Sequence, residues 1–173
     1  FSSNDEYAES SPGSYSPHTF LDGWSAARAG AQEGTAIRLA CRRETRLANY
    51  SARADSPFIS GLKEGKTVDL SVQFDYSMAR EGKPKISQTV LFGFIKVADN
   101  FKSGSDKGTF PVSFTVNETT GSYSNINNSY IGELNGVGAP LRLSWRTIPE
   151  TNWGANNNTC WLYIDNIKVK IKK

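Results

Sequence analysis

TVDLSVQFDYSM, residues 67–78, is the longest regular pattern in this chain. Apolar and polar side chains alternate along the whole stretch, and a period of two is typical of a β-strand with one buried face. We therefore predict a long strand that covers a core on one side and meets water on the other. The predicted core side consists of Val68, Leu70, Val72, Phe74, Tyr76 and Met78.

Further strand patterns occupy much of the remaining chain. Residues 89–98 are apolar on both faces, which predicts a central strand covered on both sides. Pro111 cannot donate to a ladder, so its strand lies at an edge or the proline lies at a strand start. Many strands between Gly- and Asn-rich turns predict an all-β fold, a two-sheet antiparallel β-sandwich of the jelly-roll type. The other predicted strands are residues 35–41, 110–116, 141–147 and 159–171.

The last of these strands changes parity along its length. Cys160, Leu162 and Ile164 share one face of an ideal strand, but Ile167 and the apolar residues after it share the other. A strict period of two cannot bury both sets. One extra residue at Asp165-Asn166 restores the register, so we predict a β-bulge there.

Length, charge and termini limit the possible functions. The 173 residues and the net charge of +3 fit one sandwich domain and give no basic patch for nucleic acid. No apolar stretch approaches the roughly 20 residues of a membrane span. We interpret residues 1–18 as a polar leader or linker and residues 19–173 as a single jelly-roll domain. A start at Phe1 suggests a processed chain, secreted or at the cell surface, with a lipid anchor as one means of display.

The sequence offers little for catalysis. His18, the only histidine, lies in the polar leader, which disfavours a nucleophile–histidine pair. Asp69 and Asp75 lie roughly 20 Å apart along one strand, beyond the reach of a glycosidase pair. They are either solvated or opposite Arg142 and Arg146 across strands. Carboxylate pairs from different strands remain open, but we predict no catalytic residues.

Two polar loops have the composition of a ligand site. Residues 149–159 surround Trp153 with asparagines, and residues 121–130 combine tyrosines with asparagines. Exposed aromatic rings can pack on the apolar faces of sugars while amides bind the hydroxyls. The alternative for Trp153 is a ring that folds back and caps the sandwich. The candidate ligand-binding residues are Asn152, Trp153, Asn156, Tyr123 and Tyr130.

The pattern also resembles a known group of domains. The resemblance lies in Asp22-Gly23-Trp24, Gly34–Cys41, Ser56–Leu62, residues 68–78 and the closing Trp161–Val169. They are similar to secreted jelly-roll modules of bacterial surface proteins, related in pattern to MAM-type, choice-of-anchor and galactose-binding-like carbohydrate-binding domains. The resemblance implies a non-catalytic role with a glycan or a surface protein as partner.

The resemblance also raises one cofactor hypothesis. Asp165 is similar to the acidic residue with which such modules hold structural calcium, and Asp22 is a second candidate ligand. The alternative is that Asp165 hydrogen-bonds to its own bulged backbone. We expect no other cofactor.

Cys41 ends one predicted strand and Cys160 begins another. The inward-facing residues of both strands point into the same core, so both thiols should point there too. If the two strands are antiparallel neighbours, the cysteines are close enough to bridge. The alternatives are a disulfide and two packed thiols. For the whole chain, the leading hypothesis is a surface module for glycan binding or adhesion, followed by a structural spacer and then a jelly-roll enzyme acting on glycans.

Overall fold

The computed structural model describes residues 23–27, 29–31, 36–41, 52–80, 87–96, 108–117, 128–138, 140–148 and 160–172. These residues form ten β-strands and no helix. The strands are β1 Ser25–Ala27, β2 Ala29–Ala31, β3 Ile37–Cys41, β4 Arg53–Asp55, β5 Thr67–Arg80, β6 Ser87–Lys96, β7 Thr109–Asn117, β8 Asn128–Gly138, β9 Leu141–Thr147 and β10 Cys160–Ile171.

The strands pair into two five-stranded antiparallel sheets. The first has the order β1-β4-β9-β6-β7 and is called the β9 sheet after its central strand; the second has the order β2-β3-β10-β5-β8 and is called the β10 sheet. All the strand pairings among the described residues are antiparallel, and the chain crosses repeatedly from one sheet to the other. The predicted all-β, two-sheet jelly roll is confirmed.

The core lies between the inner faces of the two sheets. The apolar side of β5 is buried as its alternation predicts, with Phe74 0% exposed. The Phe74 ring meets the rings of Trp145 at 5.5 Å and Phe92 at 5.0 Å, both from the β9 sheet. Burying each such side chain contributes roughly 1.5–3 kcal/mol, so this aromatic contact is a main link between the sheets.

All six predicted strands are present, most with small shifts at their ends. β6 is an interior strand in which Ile95 and Phe94, on opposite faces, are both buried, as its two-sided apolar pattern predicts. β7 is an edge strand and holds Pro111 near its start. β1, β2, β4 and β8 were not predicted.

The bulge in β10 is confirmed. The register of β10 against β5 shifts between Asp165 and Lys168, and Asn166 has a φ of 50°. Asp165 Oδ1 accepts the backbone N–H of Asn166 at 2.7 Å. The bulge turns Ile167 and Val169 back to the core, against which both pack.

Two expectations about the chain as a whole are not settled by these strands. Residues 1–18 lie outside the described residues, so the division into a leader and a domain of residues 19–173 stays a prediction. Within the described ranges, no helix has the length and apolar character needed to cross a membrane.

Candidate functional site

A cluster of charged side chains is buried on the outer face of the β9 sheet. In the register of β4 against β9, Arg53 lies opposite Arg146 and Asp55 lies opposite Ser144. Arg53 is 1% exposed, Asp55 0% and Arg146 7%. Charged residues are rarely buried to this degree, least of all on the side of a sheet that faces away from the core. We call this surface, formed by Arg53, Asp55, Arg142, Ser144 and Arg146, the arginine face.

Alternation in the two strands creates the arginine face. Leu141, Leu143 and Trp145 of β9 point into the core, so the arginines and the serine between them point outward. On β4, Ala54 lies opposite Trp145 and is itself buried in the core. Its two neighbours must therefore share the outer face with the β9 arginines.

Asp55 organises the centre of this face. Arg53 Nε donates to Asp55 Oδ1 at 3.0 Å, and Ser144 Oγ donates to the same oxygen at 2.5 Å. Oδ2 of Asp55 has no hydrogen-bond partner among the described residues. Burial raises the pKa of the Asp55 carboxyl, against the opposing effects of Arg53, Ser144 and Arg142. A perturbed, partly unsatisfied buried carboxyl beside several cations is a common feature of functional sites.

The guanidinium groups of this face lie against aromatic rings. Arg142 Cζ lies 4.3 Å from the centroid of the Phe58 ring. Arg146 Cζ and Arg53 Cζ lie 5.1 Å and 6.0 Å from the centroid of Phe110. Stacking uses the flat face of a guanidinium and leaves its N–H edge for hydrogen bonds. The Phe58 side is open to solvent, because that ring is 42% exposed.

A glycine lets Phe110 reach this surface. A Cβ atom on Gly93 of β6 would lie 1.9 Å from the carbonyl oxygen of Thr109 and 2.7 Å from Cα of Phe110. The start of β7 therefore crosses directly over Gly93, a close approach that a side chain would block. The register of β6 against β7 shifts at the same point, between Phe92 and Phe94.

Backbone hydrogen bonds place Phe58 beside Arg142. The segment after β4 continues along β9, with Ser56 N donating to Leu143 O at 2.9 Å and Ile59 N donating to Leu141 O at 3.0 Å. Ser56 Oγ also accepts the N–H of Leu143 at 3.0 Å. Phe58 is therefore carried on a segment that is anchored on either side of it, at Ser56 and Ile59, which makes the Phe58–Arg142 pair part of the scaffold.

The arginine face thus presents two arginine–aromatic pairs. Arg142 and Arg146 are four residues apart on β9, which separates their Cα atoms by roughly 13 Å. Each pair combines an aromatic ring with a guanidinium group. Arg146 is buried, so the Phe58–Arg142 pair is the one of the two that could contact a ligand with both apolar patches and oxygen acceptors.

The opposite surface, the outer face of the β10 sheet, brings two carboxylates together. Asp165 lies opposite Asp75 in the register of β10 and β5. Asp75 Oδ1 accepts the hydroxyl of Ser129, and its Oδ2 accepts Asn166 Nδ2 at 2.8 Å. These hydrogen bonds lower the pKa of Asp75. A glycosidase pair needs one carboxyl with a raised pKa as the general acid. The lowered pKa of Asp75 makes this residue unsuited to the role of the general acid.

Asp55, whose pKa is raised, lies on the other sheet. Among the described residues, no second carboxylate shares the arginine face with it. The group that could act as an acid and the two paired carboxylates are therefore on opposite sides of the sandwich.

The alternative that paired Asp69 and Asp75 with Arg142 and Arg146 is wrong. The aspartates lie on β5 of the β10 sheet and the arginines on β9 of the β9 sheet. Asp69 Oδ1 instead accepts the N–H of Gly136 at 2.8 Å. Two alternating strands with opposite charges look like partners in sequence, but they belong to different sheets and face opposite sides.

One of the predicted ligand-binding residues is described. Tyr130 was expected in a loop but lies in strand β8, with its ring 4.8 Å from the Phe74 ring. Burial raises the pKa of its hydroxyl. The loop placement is wrong because residues from Asn128 onward pair with β5. Asn152, Trp153, Asn156 and Tyr123 lie outside the described residues, so their roles stay predictions.

The structure gives the surroundings of Asp165 and the relative positions of the two cysteines. Asp165 accepts a hydrogen bond from the backbone of the bulge, which is the arrangement expected if it does not bind calcium. Calcium binding by Asp165 itself stays a prediction. β3 and β10 are antiparallel neighbours, and Cys160 lies opposite Cys41 in their register. That pairing is the one on which the disulfide prediction depends; the bond itself stays a prediction.

Asp55 and Asp75 should affect the pH dependence of stability in opposite directions. The folded-state pKa of Asp55 lies above its ordinary value of 3.8, so its contribution to stability falls as the pH rises from 3.8 through the folded-state pKa. The folded-state pKa of Asp75 lies below 3.8, so its contribution is present above 3.8 and is lost as the pH falls through the lowered value.

Urea unfolding of the wild type, Asp55→Asn and Asp75→Asn between about pH 2 and pH 8 tests this expectation. Relative to the wild type, Asp55→Asn should gain stability with rising pH, and Asp75→Asn should lose it. Each comparison cancels the other carboxyl groups of the chain. The same sign for both variants would contradict the opposite environments of the two groups.

Comparisons with known proteins give similarity of architecture. No protein-family model and no curated protein matches the chain. Among solved structures, a CBM4 structure has 13% identity and a TM-score of 0.45 over 87% of this chain and 79% of the other. TmCBM61 in complex with β-1,4-galactotriose has 10% identity and a TM-score of 0.38 over 91% and 88%.

The CBM22-1 xylan-binding domain of Paenibacillus barcinonensis Xyn10C has 11% identity and a TM-score of 0.38 over 96% of this chain and 99% of the other. At such identities and TM-scores, these likenesses do not bear on the ligand of this chain. None of the three is described as a MAM-type or choice-of-anchor domain, so that part of the resemblance stays an expectation.

Proposed function

We propose that this protein is a non-catalytic, extracellular glycan-binding module, and that a saccharide binds at the exposed Phe58–Arg142 side of the arginine face. The observation that carries the proposal is the Phe58–Arg142 pair, in which a solvent-exposed ring and a guanidinium lie 4.3 Å apart on an anchored segment. A sugar ring offers apolar C–H surface to Phe58 and hydroxyl oxygens to Arg142.

The remaining chemistry of the face supports binding without catalysis. Phe110 and Arg146 repeat the pairing farther along β9, where Arg146 is buried and is therefore part of the scaffold. Asp55 is held by Arg53 and Ser144, which makes it a positioning residue for the donors around it. The face has no second described carboxylate to complete an acid–base pair.

The loop around Trp153 is a separate candidate within the same proposal. Trp153 was selected by composition alone, whereas Phe58 is placed beside a guanidinium. A glycan could contact either surface. The two contributions can be measured separately, because each centres on one aromatic ring.

Phe58→Ala should abolish or strongly weaken glycan binding. The lost contact is a partly exposed aromatic platform, and stacking of this kind is worth on the order of 1–3 kcal/mol, or about 5- to 150-fold in affinity. The measurement is a glycan-array screen followed by calorimetric titration of any glycan found. Ile131→Ala is the matched control, since Ile131 is 73% exposed on the other sheet.

The outcomes separate the candidates. Loss of binding in Phe58→Ala and retention in Ile131→Ala supports the arginine face. Loss in Trp153→Ala alone moves the site to the loop. If no glycan binds the wild type above background, the proposal is wrong and a spacer role replaces it.

A further inference from the structure

We propose that Asn135 is a site of spontaneous deamidation, and that Asp69 restrains the reaction through its hydrogen bond to the backbone N–H of Gly136. All three residues belong to the β10 sheet, on strands β5 and β8. The modification site is therefore separate from the arginine face and does not depend on any ligand there.

The pair Asn135-Gly136 is the only Asn-Gly sequence in the chain. Deamidation of an asparagine begins with attack by the backbone nitrogen of the next residue, and a glycine there has no side chain to obstruct the attack. Gly136 has a φ of 63°, and a Cβ atom on it would meet nothing within 4 Å. Both residues are exposed, so water can reach the reacting groups.

A bulge in β8 takes this peptide out of the regular ladder. The register of β5 against β8 shifts between Val68 and Leu70, so that the intervening Asp69 faces two residues of β8, Asn135 and Gly136. The extra residue of a bulge has no partner in the ladder. The N–H of Gly136 is instead bound by a side chain, since it donates to Asp69 Oδ1 at 2.8 Å.

The reaction needs only the chain and water. The backbone nitrogen of Gly136 loses its proton and attacks Cγ of Asn135. The new N–Cγ bond closes a succinimide ring, and the side-chain amide group leaves as ammonia. Water then opens the ring at one of its two carbonyl groups and gives aspartate or isoaspartate. The net change consumes one water, releases one ammonia and involves no oxidation or reduction.

Asp69 opposes the first step in two ways. Its hydrogen bond ties the nitrogen of Gly136 to β5, and a charge-assisted bond of this kind must break before the nitrogen can turn toward Cγ of Asn135. Its negative charge also disfavours loss of the amide proton, because a second negative charge would form beside the first. Asp69 is itself held in place, since its carbonyl oxygen accepts the N–H of Lys172 at 2.9 Å.

Deamidation should loosen the edge of the sheet. Aspartate or isoaspartate at position 135 places a new carboxylate opposite Asp69, and like charges that face each other across strands are destabilising. Among the described strands, β8 pairs with β5 alone, so the loss is confined to this edge. The modified protein should therefore melt at a lower temperature than the unmodified one.

The test follows each asparagine by peptide mass spectrometry during incubation of the folded protein at mildly alkaline pH. Asp69→Ala removes the acceptor and the charge, and Asp69→Asn keeps an oxygen acceptor without the charge. Asp75→Ala is the matched control, because Asp75 is a carboxylate on the same face of β5 that binds side chains instead of the N–H of Gly136.

Asn128 serves as the internal reference. It begins the same strand and is followed by a small residue, Ser129. General unfolding of β8 would accelerate both Asn128 and Asn135, whereas loss of the Asp69 hydrogen bond acts on Asn135 alone. Circular dichroism and the melting temperature establish that each variant is folded, and Asp69→Asn carries the comparison if Asp69→Ala is not.

We expect Asn135 to deamidate first, and Asp69→Ala to raise its rate about 2- to 10-fold, the factor that corresponds to one net hydrogen bond. Asp69→Asn should give a rate between those of the wild type and Asp69→Ala. Asp75→Ala should leave the rate at Asn135 unchanged, and the rate at Asn128 should be the same in all four proteins.

Three results would overturn the proposal. An unchanged rate at Asn135 in both Asp69 variants rejects the restraint by Asp69. Equal acceleration at Asn128, or in Asp75→Ala, means that the variants act by loosening the strand as a whole. Deamidation of another asparagine ahead of Asn135 in Asp69→Ala rejects the site itself.

Discussion

Protein purified from an oxidising compartment should contain no free thiol and should lose about 4–5 kcal/mol of unfolding free energy on reduction. Cys41 and Cys160 are opposite each other in antiparallel strands, where Cα atoms lie roughly 4.5–5.5 Å apart, within the range a disulfide spans. The bridge closes a loop of roughly 120 residues, and the chain-entropy model gives the quoted stabilisation for that length.

The measurement has two parts. Thiol titration in denaturant without reductant counts free cysteines, and urea unfolding with and without reductant gives the change in stability. The double variant Cys41→Ala/Cys160→Ala should be insensitive to reductant, which separates the effect of the bond from other effects of the reagent. Two free thiols in the oxidised protein would show that the residues pack as thiols and that the bond prediction is wrong.

Asp55→Ala should destabilise the protein by roughly 3–5 kcal/mol, the usual cost of removing one partner from a buried ion pair. The substitution leaves the buried Arg53 without its 3.0 Å ion pair and removes the acceptor of Ser144 Oγ. Because Arg53 is 1% exposed, water cannot replace the lost carboxylate without opening the face.

Asp75→Ala is the matched control for this effect. Asp75 is also hydrogen-bonded by side chains, but it lies on the outer face of the β10 sheet with access to solvent. Its loss should cost less than about 1 kcal/mol in the same urea titration. Equal effects of the two substitutions would mean that the charged cluster is not desolvated, which would weaken the case for the arginine face as a prepared binding surface.

Several features of the fold follow from local sequence alone. The alternation of residues 67–78 predicts both strand β5 and its buried side, including Phe74 and Met78, because the period of two is a property of an extended chain whatever it packs against. The parity change at Asp165-Asn166 predicts the bulge for the same reason. The two-sheet architecture follows from many such strands in series.

Local pattern fails where a segment is short or polar. Arg53–Asp55 is a strand of three residues, too short to show a period, and it forms because β9 and β1 pair with its two edges. β8 is rich in Gly and Asn and reads as a loop around Tyr130, yet it pairs with β5 over most of its length. In both strands, long-range hydrogen bonds override the local propensity.

The candidate site shows the same division. The outward direction of Arg142 and Arg146 was evident from the alternation of β9, and it is the one signal in the sequence that points to the arginine face. Their partners were not evident: Asp55 is brought opposite Ser144 by strand pairing, and Phe110 reaches Arg146 because β7 crosses over Gly93. Sequence by itself determined which residues point away from the core, since side-chain direction in a strand depends only on neighbours along the chain. Only the tertiary structure decided which of those residues meet, because sheet order and strand crossing depend on contacts between residues far apart in the chain.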